Sequence, residues 1–269
     1  MKDIILKVEN VSYSVEKNSS FTGQQSVEIL KNISFEVERG KVLGVSGQSG
    51  SGKSTLAKIL SGIINQTSGK VQSNYKKDWS KSLPRPVQIL FQNDGELINP
   101  FRKARDILNE AFELKIGCKA NYDLEIENIF LRFNLNPQLK ESKGSQLSGG
   151  EKQRIALARI VIVEPEILVL DEPFSSQDVE AQLDILKLIT KLKEELDLTI
   201  ICISHDINIL KHFSDKLIIM YAGKIVESGS TKTIIQNPVD DYTKFLLSAQ
   251  SLNLTEEEIQ RFHNTYEQN

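Results

Sequence analysis

The chain has 269 residues, 39% of them hydrophobic and 26% charged, with a formal net charge of −3. This balance describes a globular chain with a sizeable core, long enough for one large domain or two small ones. Slight acidity supplies no global basic field, so nucleic acid is not an expected partner; Cys118 and Cys202 form no CxxC pair, which excludes a cysteine-ligated cluster or zinc knuckle and fits a reducing compartment.

The opening "MKDIILKVEN" carries Asp3, Lys7 and Glu9 and no basic stretch ahead of a long apolar run, so it is not expected to be a signal peptide. The longest apolar runs, such as "LIIMYA" at 217–222, fall far short of the roughly 20 residues a membrane span needs. "ILKVEN" (5–10) and "SFEVE" (34–38) alternate apolar and polar residues, the pattern of half-buried antiparallel strands. The polar stretch 15–26 between them is expected to be a hairpin loop and is the clear candidate for disorder. "KVLGVSG" (41–47) reads as a buried parallel strand, and a helix follows from about Lys53 to Gly62.

"VQILF" (87–91) is a further buried strand. From about 100 to 163 strand runs cease, and "FRKARDILNEAFEL" and "NYDLEIENIFLRF" take helical spacing. A third helix is expected near Ser148, where "QLSGGEKQR" sets Ser148 and Glu151 three apart as in a capping box. That stretch is either a local helix start or half of a nucleotide site completed elsewhere. Strands return at "ILVLDE" (167–172) and "LTIICIS" (198–204), with helices from about 179 to 196 and from about 206. "DKLIIMY" and "KIVES" predict a closing hairpin around Ala222 and Gly223, and helices are expected near 240–250 and 255–265. Strands alternating with helices imply a mostly parallel α/β sheet with a helical insertion.

"GQSGSGKST" (47–55) fits G-x-x-x-x-G-K-[ST], after a strand and opening a helix. Its glycines let backbone N–H groups turn around phosphate oxygens, and the helix N-terminus adds partial positive charge. Lys53 is placed to reach the β- and γ-phosphates and Ser54 to ligate Mg²⁺. Asp171 ends a buried strand at the carboxyl edge, where open α/β sheets bind ligands, and is expected to hold Mg²⁺. Glu172 follows as the group that polarises the attacking water. His205 and Gln92 also end predicted strands on that edge, His205 as a γ-phosphate sensor and Gln92 near Mg²⁺ or the water.

These motifs, in this order, resemble the ATP-binding-cassette (ABC) ATPases over nearly the whole chain. The resemblance implies a P-loop NTPase α/β core with an antiparallel β subdomain and an inserted all-helical subdomain. It implies one ABC ATPase domain over 1–250, with core 1–92 and 164–235 and an insert of about 93–163, then a short helical extension over 236–269. By the same resemblance Tyr13 stacks on adenine. Gly47, Gln48, Ser49, Gly50, Ser51, Gly52, Lys53, Ser54 and Thr55 form the Walker A loop, and Gln92 is the Q-loop glutamine. Ser148, Gly149 and Gly150 form the signature that meets the ATP of a second cassette. Asp171 and Glu172 are Walker B with Glu172 as catalytic base, Asp178 is the D-loop aspartate, and His205 is the switch histidine. Ser176 and Gln177 depart from the usual D-loop residues.

"LFQNDGELINPFRKARDIL" (90–108) and "QNPVDDYTKFLLSA" (236–249) are similar to the peptide and nickel importer branch, although Asp240 and Asp241 replace its usual His-Pro. The short tail and extended 15–26 stretch look most like the second ATPase subunit of the nickel or metal-chelate type. The implied function is ATP hydrolysis, with ATP and Mg²⁺, at the cytoplasmic face of the inner or plasma membrane. The implied partners are a second ATPase subunit in a head-to-tail dimer, two membrane permeases and, indirectly, an extracytoplasmic binding protein. The alternatives are a soluble single-cassette ATPase and a non-catalytic cassette. Intact Lys53, Glu172 and His205 argue against the latter.

Overall fold

A computed structural model describes residues 3–19, 23–77, 85–92, 95, 98–174 and 179–250. In chain order the strands and helices are β1 (Ile4–Ser19), β2 (Gly23–Glu38), β3 (Val42–Ser46), α1 (Lys53–Leu60), β4 (Ser68–Ser73), β5 (Val87–Leu90), α2 (Ala104–Ile116), α3 (Asp123–Arg132), α4 (Gly149–Ile162), β6 (Ile167–Asp171), α5 (Val179–Leu196), β7 (Thr199–Ile203), α6 (Ile207–Phe213), β8 (Lys216–Tyr221), β9 (Lys224–Ser230), α7 (Thr231–Gln236) and α8 (Asp241–Gln250). Two short 3₁₀ turns, Pro137–Glu141 and Gly144–Gln146, lead into α4. The chain divides into two compact units, residues 1–74 with 199–269 and residues 75–198.

In the first unit β1 lies between β2 and β4, antiparallel to both. Ile5, Leu6, Val8, Val11, Leu30, Ile33 and Val37 are buried on this sheet. The expected loop over 15–26 is a correction: the ladder continues through Glu16↔Ser26 to Ser19↔Gly23. A two-stranded ribbon needs only backbone hydrogen bonds, so polar composition alone does not end it. β4, "SGKVQS", has no apolar alternation and was not expected; it joins as an edge by pairing with β1. The helix expected over 255–265 lies outside the described residues.

β3 runs parallel between β7 and β8, and β9 returns antiparallel to β8. Every residue of β3 and β7 is buried, as parallel strands covered on both faces require. Asp215 fixes the start of β3, its carboxylate accepting from the Val42 N–H at 2.8 Å. The hairpin tip is Ala222 (φ 45°) and Gly223 (φ 81°), two positive φ values in succession, as a type I′ turn needs. Asp206 caps α6 by accepting from the Asn208 N–H at 2.8 Å, and Ser230 caps α7 from the Thr233 N–H at 3.1 Å.

In the second unit β5 and β6 pair in parallel. α2 buries Ala104, Ile107, Leu108, Ala111 and Phe112, a stripe at i, i+3, i+4, i+7 and i+8. Phe112 stacks on Tyr122 with ring centroids 5.2 Å apart. α4 buries seven residues from Ile155 to Ile162 and packs on α2 and β5. Cys118 is exposed after α2, and Cys202 is buried in β7. No described helix is long and apolar enough to cross a membrane.

Candidate functional site

The first unit carries the phosphate loop between β3 and α1. Its path is set at Gly47, whose φ is +150°; a Cβ there would lie 2.1 Å from the Met220 carbonyl oxygen of β8. No side chain fits, so the loop leaves β3 hard against the neighbouring strand. Lys53, 7% exposed, folds back across the loop. Its ammonium donates to the Gly47 carbonyl at 2.7 Å, the Gln48 carbonyl at 2.9 Å and the Ser51 hydroxyl at 3.5 Å. Gln48, Ser49, Gly50 and Ser54 are exposed, Thr55 is half-buried, and Ser51 and Gly52 are buried. α1 has no acidic residue in its first turn, so nothing there offsets the positive end of its dipole. The assembly is an anion cradle: backbone amides, a helix N-terminus and one converging ammonium.

The loop is held from outside at two further points. The Gly223 N–H donates to the Ser51 carbonyl at 3.2 Å. The Gln48 N–H donates to the Tyr242 phenol oxygen at 2.8 Å, a contact spanning 194 residues. Tyr242 is 1% exposed, and its ring packs against Tyr221 at 4.6 Å between centroids. Burial pushes the Tyr242 phenol above its ordinary range, and the hydrogen bond from Gln48 opposes this.

His205 is exposed and leaves β7, whose Ile203 pairs with Val45 of β3. The Ser204 N–H donates to the Val45 carbonyl at 3.1 Å, so His205 and Gly47 emerge from one edge of two adjacent parallel strands. Tyr13 is half-buried in the interior of β1, opposite Leu30.

In the second unit Leu90 pairs with Leu170, so Gln92 and Asp171 also leave one edge together. Gln92 is exposed and Asp171 is 5% exposed. Glu172 has φ +52°, a left-handed conformation that costs a non-glycine residue roughly 1 kcal/mol or more. Such strain gathers where a side chain must point in one particular direction. Ser148 and Glu151 make the capping box: the Ser148 N–H donates to the Glu151 carboxylate at 2.7 Å, and the Glu151 N–H to the Ser148 hydroxyl at 3.4 Å. Among the described residues, a Cβ at Gly149 or Gly150 would meet nothing within 4 Å beyond its own helix.

Two residues absent from the sequence-based site belong to this framework. Gln153, on α4, donates through Nε2 to the Pro173 carbonyl, two residues past Asp171. A Cβ at Gly95 would lie 3.3 Å from the Gln153 backbone nitrogen, so the segment after Gln92 runs against the same residue. Tyr242 is the other, on the phosphate loop. Gln153 stands in "QLSGGEKQR" and Tyr242 in "QNPVDDYTKFLLSA", but neither stretch marks the contact, because each acts through a partner distant in sequence. Asp178 lies outside the described residues. Among the described residues no three His, Cys, Asp or Glu side chains gather as a metal cluster.

Residues 30–175 match the family model described as ABC transporter. The dipeptide transport ATP-binding protein DppF of Haemophilus influenzae is 37% identical over 244 residues, covering 88% of this chain and 75% of the relative. The oligopeptide transport ATP-binding protein OppF of Streptococcus mutans is 32% identical over 271 residues, 98% of this chain and 87% of the relative. Among solved structures, CbiO1 of Clostridium perfringens, part of the ABC transporter complex CbiONQ, superposes with a TM-score of 0.72 at 27% identity, covering 98% of this chain and all of that one. The ATP-binding cassette MJ0796, solved as a dimer in a post-hydrolysis state with ADP and Pi, gives 0.71 at 25% identity over 84% of this chain and 99% of its own.

Proposed function

The chain belongs to the ABC transporter family, and on that premise we propose that it is the ATPase subunit of a membrane importer for di- or oligopeptides. As a member it binds and hydrolyses ATP. The peptide cargo is taken from the names of DppF and OppF; the nickel or metal-chelate alternative draws no support from them.

The observation that carries the reading is the phosphate loop, with a nearly buried Lys53 folded onto the Gly47 and Gln48 carbonyls at the start of a helix without acidic residues in its first turn. In this reading backbone N–H groups between Ser49 and Thr55 hold the β- and γ-phosphates, the Gln48 N–H being taken by Tyr242, and Lys53 exchanges loop carbonyls for phosphate oxygens. Tyr13 stacks on the adenine ring. Glu172 accepts a proton from the attacking water, Gln92 orients that water, and His205 donates a hydrogen bond to the γ-phosphate. The Ser54 hydroxyl, the Gln92 amide oxygen and the Asp171 carboxylate are hard oxygen donors, the set Mg²⁺ takes beside water. When bound, the ion neutralises charge on the phosphates.

Ser148, Gly149 and Gly150 serve the nucleotide of a second cassette. Their support is the open N-terminus of α4: among the described residues no contact requires glycine at 149 or 150. Asp178 faces that second subunit. The chain is then one cassette, with core 1–92 and 164–235, insert 93–163 and extension 236–269. It docks on two permeases at the cytoplasmic face of the inner or plasma membrane, fed by an extracytoplasmic binding protein. Glu172→Gln is expected to keep ATP binding and lower turnover about 10²- to 10⁴-fold. Turnover at the unmodified level would remove Glu172 from the role of base. Detergent extraction is expected to recover the chain with permeases; recovery with no membrane protein would favour a soluble ATPase.

A further inference from the structure

We propose that Tyr242, on the C-terminal helix α8, is a positioning residue of the ATP site: it fixes the peptide plane on which the Lys53 ammonium rests. The inference builds on the reading of Gly47 to Thr55 as the phosphate loop.

One peptide unit, Gly47–Gln48, joins the two residues. In a trans peptide the C=O and N–H point in opposite directions. The Gln48 N–H points outward and donates to the Tyr242 phenol oxygen at 2.8 Å. The Gly47 carbonyl therefore points the other way, and it accepts from the Lys53 ammonium at 2.7 Å. Holding one end of the plane holds the other. The plane needs holding because it adjoins a glycine, the residue with the fewest barriers to peptide rotation. Without the phenol, a flipped plane would present an N–H to the ammonium and take away its acceptor.

Tyr242 is itself rigidly placed. The Glu227 carboxylate of β9 accepts from the Val239 N–H at 3.0 Å and the Asp240 N–H at 3.1 Å, which anchors the chain entering α8. Asp240 then caps α8, accepting from the Tyr242 N–H at 2.9 Å. The Tyr242 ring is pinned on Tyr221, one residue after Met220, whose carbonyl presses on Gly47. A buried hydroxyl aimed at a loop amide, from a helix clamped at its own start, places a main-chain dipole at the mouth of the site.

The test compares the unmodified chain with Tyr242→Phe, which keeps the ring and removes the hydroxyl, and with Lys53→Ala. The probes are binding of a fluorescent ATP analogue, steady-state ATP hydrolysis, hydrogen exchange of the Gln48 amide and thermal melting without nucleotide. Tyr242→Phe is expected to weaken binding and raise KM about threefold to tenfold, the scale of one hydrogen bond. It should leave kcat within about twofold, since the bond lies on the binding side of the reaction, and speed exchange at Gln48. The melting midpoint should fall by no more than about 4 °C. Unchanged affinity and KM in Tyr242→Phe, with Lys53→Ala still weakening ATP binding, would overturn the positioning role alone. A larger loss of melting midpoint with kcat and affinity falling together would also overturn it, as plain structural damage. Unchanged affinity in Lys53→Ala would overturn the phosphate-loop reading and this inference with it.

Discussion

Lys53 and Tyr242 grip the same peptide from its two ends, yet only for Lys53 does the surrounding pattern declare the role. Lys53 is legible because phosphate binding requires glycines, lysine and a hydroxyl at fixed spacing along a few residues. Tyr242 is not, since its contact with Gln48 spans 194 residues and nothing local marks a phenol as a loop brace. The strained φ of Glu172 was equally invisible, because a carboxylate after an apolar strand has the same letter in either backbone conformation. The buried phenol carries a pH consequence. Tyr242 titrates above its ordinary value in the fold, through burial and the neighbouring Tyr221, while in the unfolded chain it titrates near 10. Between those values the unfolded state has lost a proton the native state keeps, so stability is intact below about pH 10 and falls as pH rises further. Alkaline melting is expected to decline less steeply in Tyr242→Phe, read from midpoints across pH 9 to 11.5; parallel curves for the two proteins would contradict it.

Elements followed the same division between what is local and what is not. β3, β6 and β7 are legible as continuous apolar runs, because each is buried at every position. α2 is legible from its stripe, with Ile107, Leu108, Ala111 and Phe112 on the covered face. β4 is an exposed edge whose strand character comes only from pairing with β1, so its composition says little. The long β1–β2 ribbon is similar: beyond Ser14 its described side chains are exposed while the cross-strand ladder continues. α7 is six residues long and owes its start to the Ser230 cap more than to any periodicity. Leu108 tests how far α2 supports its unit. It is fully buried, so Leu108→Ala is expected to cost about 2–5 kcal/mol, seen as a lower denaturant midpoint with an unchanged slope.

On the scale of the molecule, the N-terminus of α4 is finished as a helix and, in the dimer proposed above, unfinished as a site. Ser148 and Glu151 satisfy the cap, while Gly149 and Gly150 meet no other described residue on the side a Cβ would take. An aspartate at such a position has room and complements the helix dipole, yet it repels a phosphate arriving from another subunit. Gly149→Asp is therefore expected to leave the melting midpoint of the isolated chain unchanged or slightly raised and to abolish turnover in the assembled transporter. A variant that hydrolyses ATP normally would sever the tie between this helix and a second nucleotide. The two cysteines have a practical consequence of their own. Cys202 is shut inside β7 and Cys118 stands in the open after α2, beside a glycine with free space around it. A thiol-reactive dye added to the unmodified protein should thus attach at a single address, giving a reporter for subunit encounters without mutagenesis.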